Sequence, residues 1–253
     1  MKTPVHLAVG LASAAAISAA VAAPAIPAYV TAAVASANRP DADKQRDDGR
    51  KPAETIAFAG LKPGQTIADF LPGTGYYDRI FSGVVGPKGH VYAFYPAEMK
   101  AFSKSPLPAD GTKPFDKYDN VTSVSTPAND FALPAPVDVV WISDNYHDIH
   151  DPFFAPAEVA KVNAAVFKAL KPGGIYLVLD HAAPAGSGLA DTNTTHRIDE
   201  AVVKSEVEAA GFQLVGESDA LKNPADDHSK LVFDPSIRGH TDQFILKFRK
   251  PKA

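Results

Sequence analysis

The sequence predicts an α/β fold: a doubly wound, mostly parallel seven-stranded sheet with an antiparallel edge strand. The first observation is a strand, a tight glycine turn and a helix in direct succession over residues 67–77 (IADFLPGTGYY). The second is the alternation of short apolar runs with segments of helical spacing, the order that crossovers between parallel strands require. The third is a polar loop, residues 221–239, that joins the last two strands without a helical pattern and so favours an antiparallel pair.

Seven apolar runs of strand length, bounded by Gly, Pro or polar turns, are the predicted strands. They cover residues 66–71, 90–95, 121–125, 137–142, 175–179, 212–215 and 241–248. The fourth run, VDVVWI, is almost continuously apolar, which is typical of a parallel strand buried on both faces. Helical spacing predicts helices over residues 53–58, 76–85, 157–170 and 195–210.

The N-terminus has the pattern of a secretory signal peptide. Lys2 supplies a positive charge, residues 7–21 are apolar and rich in alanine, and small residues follow. We predict a signal peptide over residues 1–22, with cleavage as late as Ala37 as the alternative, and a single domain over residues 38–253. The prediction implies export, in a bacterium to the periplasm, with no integral membrane segment left after cleavage.

The composition excludes several classes of site. The chain of 253 residues has no cysteine, so a disulfide, a thiolate metal site and a catalytic thiol are all excluded. Its net charge is only -4 and its Lys and Arg residues are scattered, which argues against general nucleic-acid binding. The oligomeric state stays open. The charged segment 38–52 is expected to be a solvated lead-in to the domain.

Polar residues follow the fourth and fifth predicted strands, at the edge where open α/β sheets bind ligands. Residues 145–151 (NYHDIHD) come after the fourth strand, and Asp180 and His181 come directly after the fifth. Because neighbouring strands lie about 5 Å apart, the two loops can converge. A histidine beside carboxylates can orient a substrate or take its proton. We therefore identify His147, Asp148 and His181 as candidate catalytic residues.

Other interpretations of these side chains stay open. Asp148 and its neighbours could simply cap and solvate the loop that leads into residues 152–154. His196, at the start of a predicted helix, is a further candidate catalytic residue, and the alternative is an exposed first turn. The histidines and acids could also hold a metal ion, but a compact ligand spacing such as His-Glu-x-x-His does not occur, and no metal site is predicted.

Four motifs in a fixed order carry a family resemblance. They are Asp69 with Gly73 and Gly75, then VGPKGHVYA at 85–93, then VDVVW at 137–141, then LKPGG at 170–174 before a strand. With this order the chain resembles the class I S-adenosylmethionine (SAM)-dependent methyltransferases over residues 53–248. Within that family it is most similar to the exported "predicted methyltransferase" branch. The resemblance implies a Rossmann-like fold and SAM-dependent methyl transfer to a small molecule.

The resemblance also implies which residues contact SAM. A first group flanks its methionine end, a second approaches its ribose and adenine, and a third faces the site of methyl transfer. In chain order the implied cofactor-binding residues are Asp69, Gly73, Gly75, Tyr76, Tyr95, Glu98, Asn129, Asp130, Asp144 and Asn145.

Two positions depart from the family pattern. Leu71 stands where the glycine turn usually begins and Pro72 follows, so a branched side chain and a fixed φ narrow the approach of a ligand. Tyr95 stands where the family has an acid that holds the ribose hydroxyls. Two other functions therefore remain alternatives. One is SAM-independent acid/base chemistry, such as a lyase step on an aromatic small molecule, and the other is binding without catalysis.

Overall fold

Seven strands form one sheet in the computed structural model, which describes residues 25–101 and 103–252. The strands are β1 (Thr66–Phe70), β2 (His90–Phe94), β3 (Val121–Val124), β4 (Val137–Ser143), β5 (Leu170–His181), β6 (Gln213–Ser218) and β7 (Gln243–Arg249). Their order across the sheet is β3-β2-β1-β4-β5-β7-β6. The pairs among β1 to β5 are parallel, and β7 runs antiparallel to both β5 and β6. The predicted fold class, including the antiparallel pair at one edge, is confirmed.

Helices flank the sheet and precede it. They are α1 (Ala28–Val34), α2 (Asp41–Lys44), α3 (Asp47–Arg50), α4 (Pro52–Ala59), α5 (Tyr76–Val85), α6 (Val159–Ala169), α7 (Thr192–Thr195) and α8 (Glu200–Ala209). Short 3₁₀ turns cover Ala97–Ala101, His147–His150 and Pro152–Phe154. No helix within the described ranges has the length and apolarity needed to cross a bilayer. The predicted signal peptide, residues 1–22, lies outside the described residues.

Both faces of the sheet are buried, as a doubly wound fold requires. Along β4, Val140 and Ile142 pack into one hydrophobic cluster, while Val139 and Trp141 pack into the other. The Trp141 ring lies 4.8 Å from that of Tyr77, which α5 supplies. The alternation of side chains along a strand thus explains why β4 is apolar at nearly every position.

The segment 38–52 is only in part the solvated lead-in that its charge suggested. Arg39 is 2% exposed and binds both carboxylate oxygens of Asp47, at 2.8 and 2.6 Å. Asp43 is also buried and accepts a 2.7 Å hydrogen bond from Arg79 of α5. Further upstream, α1 packs on α5. Ala33 of α1 lies so close to Gly83 of α5 that a Cβ added to Gly83 would be only 3.0 Å from the Ala33 Cβ. Arg39, Asp43 and Asp47 are thus held in ion pairs, whereas Asp41, Lys44 and Asp48 are exposed.

The predicted helix over residues 195–210 is broken. α7 ends at Thr195, and His196 adopts a left-handed conformation with φ 55°. α8 begins only after Asp199, whose carboxylate accepts from the backbone N–H of Ala201. Asp199 therefore acts as the N-cap, a position that the sequence analysis had not given to it. The break places His196 at the carboxyl end of the sheet.

Candidate active site

A cavity of about 1000 Å³ opens at the carboxyl ends of β1, β4 and β5. This is the edge of an open α/β sheet where ligands bind. One wall is formed by Asp69 and the glycine turn after β1, and the opposite wall by the residues that follow β4 and β5. Residues 45–50, which include α3, and the loop before β7 close the remaining sides.

The glycine turn presents one open position and one covered position to this cavity. Gly73 has φ 57°, and a Cβ built on it would meet no atom within 4 Å. At Gly75, with φ 80°, a Cβ would lie 2.0 Å from the ring of Phe115. Gly75 is therefore required for the close packing of Phe115, whereas Gly73 leaves room for a ligand. Leu71 has φ 61°, which is unusual for a branched residue, and its side chain is buried.

Two buried carboxyl groups lie behind this turn. Asp69, the next-to-last residue of β1, lines the cavity, and its Oδ1 has no hydrogen-bond partner among the described residues. Asp78 lies on the buried face of α5, and neither of its carboxylate oxygens has a hydrogen-bond partner among the residues that the structure describes. Burial raises the pKa of Asp78 to about 7. Burial and the neighbouring Asp78 together raise the pKa of Asp69 well above its ordinary value.

Across the cavity, Asp180 fixes the position of His147. The Asp180 carboxylate is fully buried and lies 2.8 Å from His147 Nδ1, and it accepts a second 2.8 Å bond from the His147 backbone N–H. The expected convergence of the loops after β4 and β5 is therefore confirmed. Asp180 is the group that joins them.

The other ring nitrogen of His147 meets two further groups. His147 Nε2 lies 3.2 Å from Asp148 Oδ1 and 3.2 Å from His196 Nδ1. Burial lowers the pKa of His147, but the carboxylates of Asp180 and Asp148 outweigh this effect and hold the pKa well above its ordinary value. Burial raises the pKa of Asp148, and hydrogen bonds to His147 and His196 outweigh it and lower that pKa. The candidates His147, Asp148 and His196 thus form one cluster at the cavity wall.

His181 lies beside this cluster in a different hydrogen-bond network. Its ring centre is 6.2 Å from that of His147, and its Nδ1 lies 2.7 Å from Thr241 Oγ1. Gln243 bridges His181 Nδ1 and Asp144 Oδ1, at 3.1 and 2.8 Å. Burial lowers the pKa of His181, so this imidazole is neutral at pH 7. It lines the same cavity as the cluster.

Comparison with known proteins gives C-methyltransferases among the relatives in sequence. No protein-family model matches the chain. A ubiquinone/menaquinone biosynthesis C-methyltransferase of Shewanella piezotolerans is 31% identical over 199 residues, which cover 76% of this chain and 67% of the relative. A Vibrio vulnificus enzyme of the same name is 30% identical over 76% of this chain and 65% of its own length. The arsenic(III) SAM methyltransferase of Chlamydomonas reinhardtii shares the fold, with TM-score 0.53, 17% identity and coverage of 90% of this chain and 75% of its own.

The chain belongs to the class I SAM-dependent methyltransferases. The match covers 66% and 65% of two of the C-methyltransferase relatives, just under two thirds of their length. The family resemblance seen in the motifs is confirmed. Membership of the exported branch stays a prediction.

Half of the residues that the family implies for SAM line the cavity. Those that do are Asp69, Gly73, Tyr76, Asp144 and Asn145. Gly75 instead faces Phe115, as described above. The four implied for ribose and adenine, Tyr95, Glu98, Asn129 and Asp130, do not line it.

Three of these four residues contact other parts of the protein instead of the cavity. Tyr95 is buried in the cluster that contains Trp141. The Glu98 carboxylate accepts from the Ala128 backbone N–H at 3.1 and 3.2 Å. The Asn129 side chain bonds the backbone of the segment after the 3₁₀ turns, at Pro156 and Glu158. Asp130 is exposed. Contacts of these residues with SAM stay predictions.

The methionine side of the cavity fits SAM. One carboxylate oxygen of Asp69, which has no partner in the described part of the chain, suits the cationic groups that SAM carries. The open side of Gly73 admits a ligand close to the backbone. The cavity volume of about 1000 Å³ lies at the upper end of the range of about 300 to 1,000 Å³ that is typical of small-molecule sites. The residues on this side therefore fit the methionine end of the cofactor, and the volume leaves room for a second small molecule.

Several cavity residues were not predicted as site residues. Arg50 of α3 pairs with Asp144 at 2.9 Å across 94 positions of sequence. Phe233 and Arg238 come from the polar loop before β7. Phe233 is 52% exposed at the cavity, an unusual position for a phenylalanine. No sequence spacing connects these residues to the glycine turn, because long-range packing alone brings them there.

Proposed function

We propose that this protein transfers a methyl group from SAM to a small aromatic molecule bound in the cavity. One observation carries the proposal. A single cavity joins the Asp69–Gly73 wall, which suits SAM, to the wall that carries His147 and Asp148. Family membership supports the reaction type. The aromatic side chains Tyr77, Phe153 and Phe233 at this cavity support an aromatic acceptor.

Asp69, Gly73 and Asp144 are the residues we assign to hold the cofactor. SAM supplies a methyl group on a positively charged sulfur when it is bound. Asp69 contributes a carboxylate for the cationic end, and the Gly73 backbone allows close approach. Arg50 holds Asp144 through a 2.9 Å ion pair and so fixes this carboxylate in place. Positioning of two reactants is a large part of the rate in a direct transfer.

His147 is assigned an orienting role toward the acceptor. With no ion bound, the pKa of His147 is raised well above its ordinary value, so the imidazole is protonated and Nε2 donates a hydrogen bond instead of accepting a proton. Asp148 has a lowered pKa and is ionised, so its carboxylate is the group that can accept a proton from an acceptor hydroxyl. Asp180 keeps the His147 ring in position by two hydrogen bonds.

The test is methyl transfer from methyl-labelled SAM to a panel of hydroxylated aromatic molecules. The relatives are named for C-methylation in ubiquinone and menaquinone biosynthesis, so quinol-like rings are the first members of the panel. Asp180→Asn should lower kcat at least about 10-fold with little change in SAM affinity, because it releases the His147 ring. His228→Gln is the control, since His228 pairs with Asp242 and does not line the cavity.

The proposal is supported if the protein methylates at least one acceptor, and if Asp180→Asn impairs this methyl transfer while His228→Gln does not. No transfer to any acceptor, with SAM bound, would contradict it. The comparisons lend no support to the two alternatives, SAM-independent chemistry and binding without catalysis. These alternatives become the next hypotheses only if no acceptor is methylated. We also propose export to the periplasm, on the charge and apolar pattern of residues 1–22.

A further inference from the structure

Three side chains at the cavity wall meet at the spacing of metal ligands. His147 Nε2, Asp148 Oδ1 and His196 Nδ1 are separated by 3.2, 3.2 and 3.6 Å. We propose that these residues, called here the His–Asp–His triad, bind a divalent transition-metal ion, with Zn²⁺ as the preferred ion. The sequence analysis predicted no metal site, because His196 lies 49 positions after His147 and no short motif links them.

The distances match a tetrahedral zinc site. Zinc binds histidine nitrogen and carboxylate oxygen at about 2.0 to 2.2 Å, so two ligand atoms of one tetrahedron lie about 3.3 to 3.5 Å apart. The three measured separations, 3.2, 3.2 and 3.6 Å, lie around this value. An ion placed about 2.1 Å from all three atoms would lie about 0.8 Å out of their plane, by the same bond lengths. One coordination position is then left without a protein ligand from the triad.

The hydrogen bonding behind His147 supports the same conclusion. Metal-bound histidine usually donates its other ring N–H to a carboxylate, which fixes the tautomer and aims the coordinating nitrogen. Here Asp180 lies 2.8 Å from Nδ1 of His147, and its carboxylate is fully buried. Nε2, the nitrogen that faces Asp148 and His196, is thereby the one available to an ion.

The position of the triad indicates a site that acts on a ligand. All three residues line the cavity, so the fourth coordination position can be taken by water or by an oxygen of a bound molecule. Two histidines and one carboxylate with an open position are typical of catalytic metal sites, while structural zinc sites use four protein ligands. With an ion present, the acceptor oxygen would be held by the metal instead of by the His147 N–H. Metal binding itself does not depend on the proposed methyl transfer.

The experiment measures metal binding without SAM or acceptor. Protein without a polyhistidine tag is stripped with a chelator and titrated with Zn²⁺ by calorimetry, and with Co²⁺ by visible absorption. We expect one equivalent of Zn²⁺ with a Kd in the micromolar range or tighter, and the intense absorption of tetrahedral Co²⁺. His196→Ala and Asp148→Asn should each weaken binding at least 100-fold, and Asp180→Asn by about 10- to 100-fold. His150→Gln is the matched control, because His150 lies on the same 3₁₀ turn and pairs with Glu206 outside the triad.

The alternative explanation of the distances is a protonated His147 held between two carboxylates without an ion. Absence of Zn²⁺ binding at 100 μM by folded protein would establish that explanation and overturn the proposal. Binding that persists unchanged in both His196→Ala and Asp148→Asn would overturn it as well. Circular dichroism of each variant shows whether a lost affinity reflects a lost ligand or a lost fold, and a folded His196→Ala protein that no longer binds supports the site.

Discussion

The buried carboxyl of Asp78 should make the protein less stable as pH rises from about 4 to 7. Its pKa is about 7 in the folded protein against an ordinary value of 3.8, so the folded state holds a proton that the unfolded state has already released. The contribution of Asp78 to the free energy of unfolding is therefore fully present below about pH 4. It is lost as the pH rises through about 7, where Asp78 is ionised in the folded and the unfolded protein alike. At 1.36 kcal/mol per tenfold change in acidity, the total loss is about 4 kcal/mol.

Asp78→Asn removes this dependence while keeping the shape and polarity of the side chain. Relative to wild type, the variant should gain about 3 kcal/mol in free energy of unfolding between pH 4.5 and pH 8.0, since part of the loss already occurs below pH 4.5. The measurement is urea unfolding at the two pH values. Asp219→Asn is the control, because Asp219 is exposed. A gain below about 1 kcal/mol would refute the argument that Asp78 is buried without a partner.

Two further predictions concern the glycine turn and the N-terminal helix. Gly73→Val should lower SAM affinity at least about 10-fold by filling the open side of the turn. Gly64→Val is the control, because Gly64 has a similar positive φ and equally open space but lies before β1. Calorimetry measures SAM affinity in both variants, and equal affinities would contradict the role of Gly73. Deleting residues 1–37 should cost about 2 to 4 kcal/mol of stability relative to deleting residues 1–24, because α1 buries Val30 and Ala33. Equal unfolding midpoints of the two truncated proteins would show that α1 is dispensable and that cleavage after Ala37 is compatible with the fold.

The fold could be predicted because its signals are local. α5 begins and ends where the sequence predicted, since the glycine turn precedes Tyr76 and the apolar spacing runs to Val85. The convergence of His147 and His181 was predictable for a related reason. Both follow neighbouring parallel strands, and the carboxyl ends of such strands share one edge of the sheet.

The rest of the site depends on contacts between distant segments. The charges of residues 38–52 suggested solvent exposure, because sequence shows the charge of Arg50 but not its partner Asp144. His196 lies at the cavity because the helical conformation ends at its left-handed backbone and resumes only after Asp199, which caps α8. The packing of Phe115 on Gly75 likewise joins a surface loop to a turn that the family pattern assigned to SAM.

The most direct test of the account is calorimetry of the purified protein with SAM and with its demethylated product. The account predicts one binding site of micromolar affinity or better, weakened at least about 10-fold by Asp69→Asn and unchanged by Asp219→Asn, because Asp69 lines the cavity and Asp219 is exposed. Burial and Asp78 raise the pKa of Asp69, so affinity for the cationic cofactor should also fall at lower pH. No heat with either compound at several temperatures would contradict the assignment of this cavity to SAM.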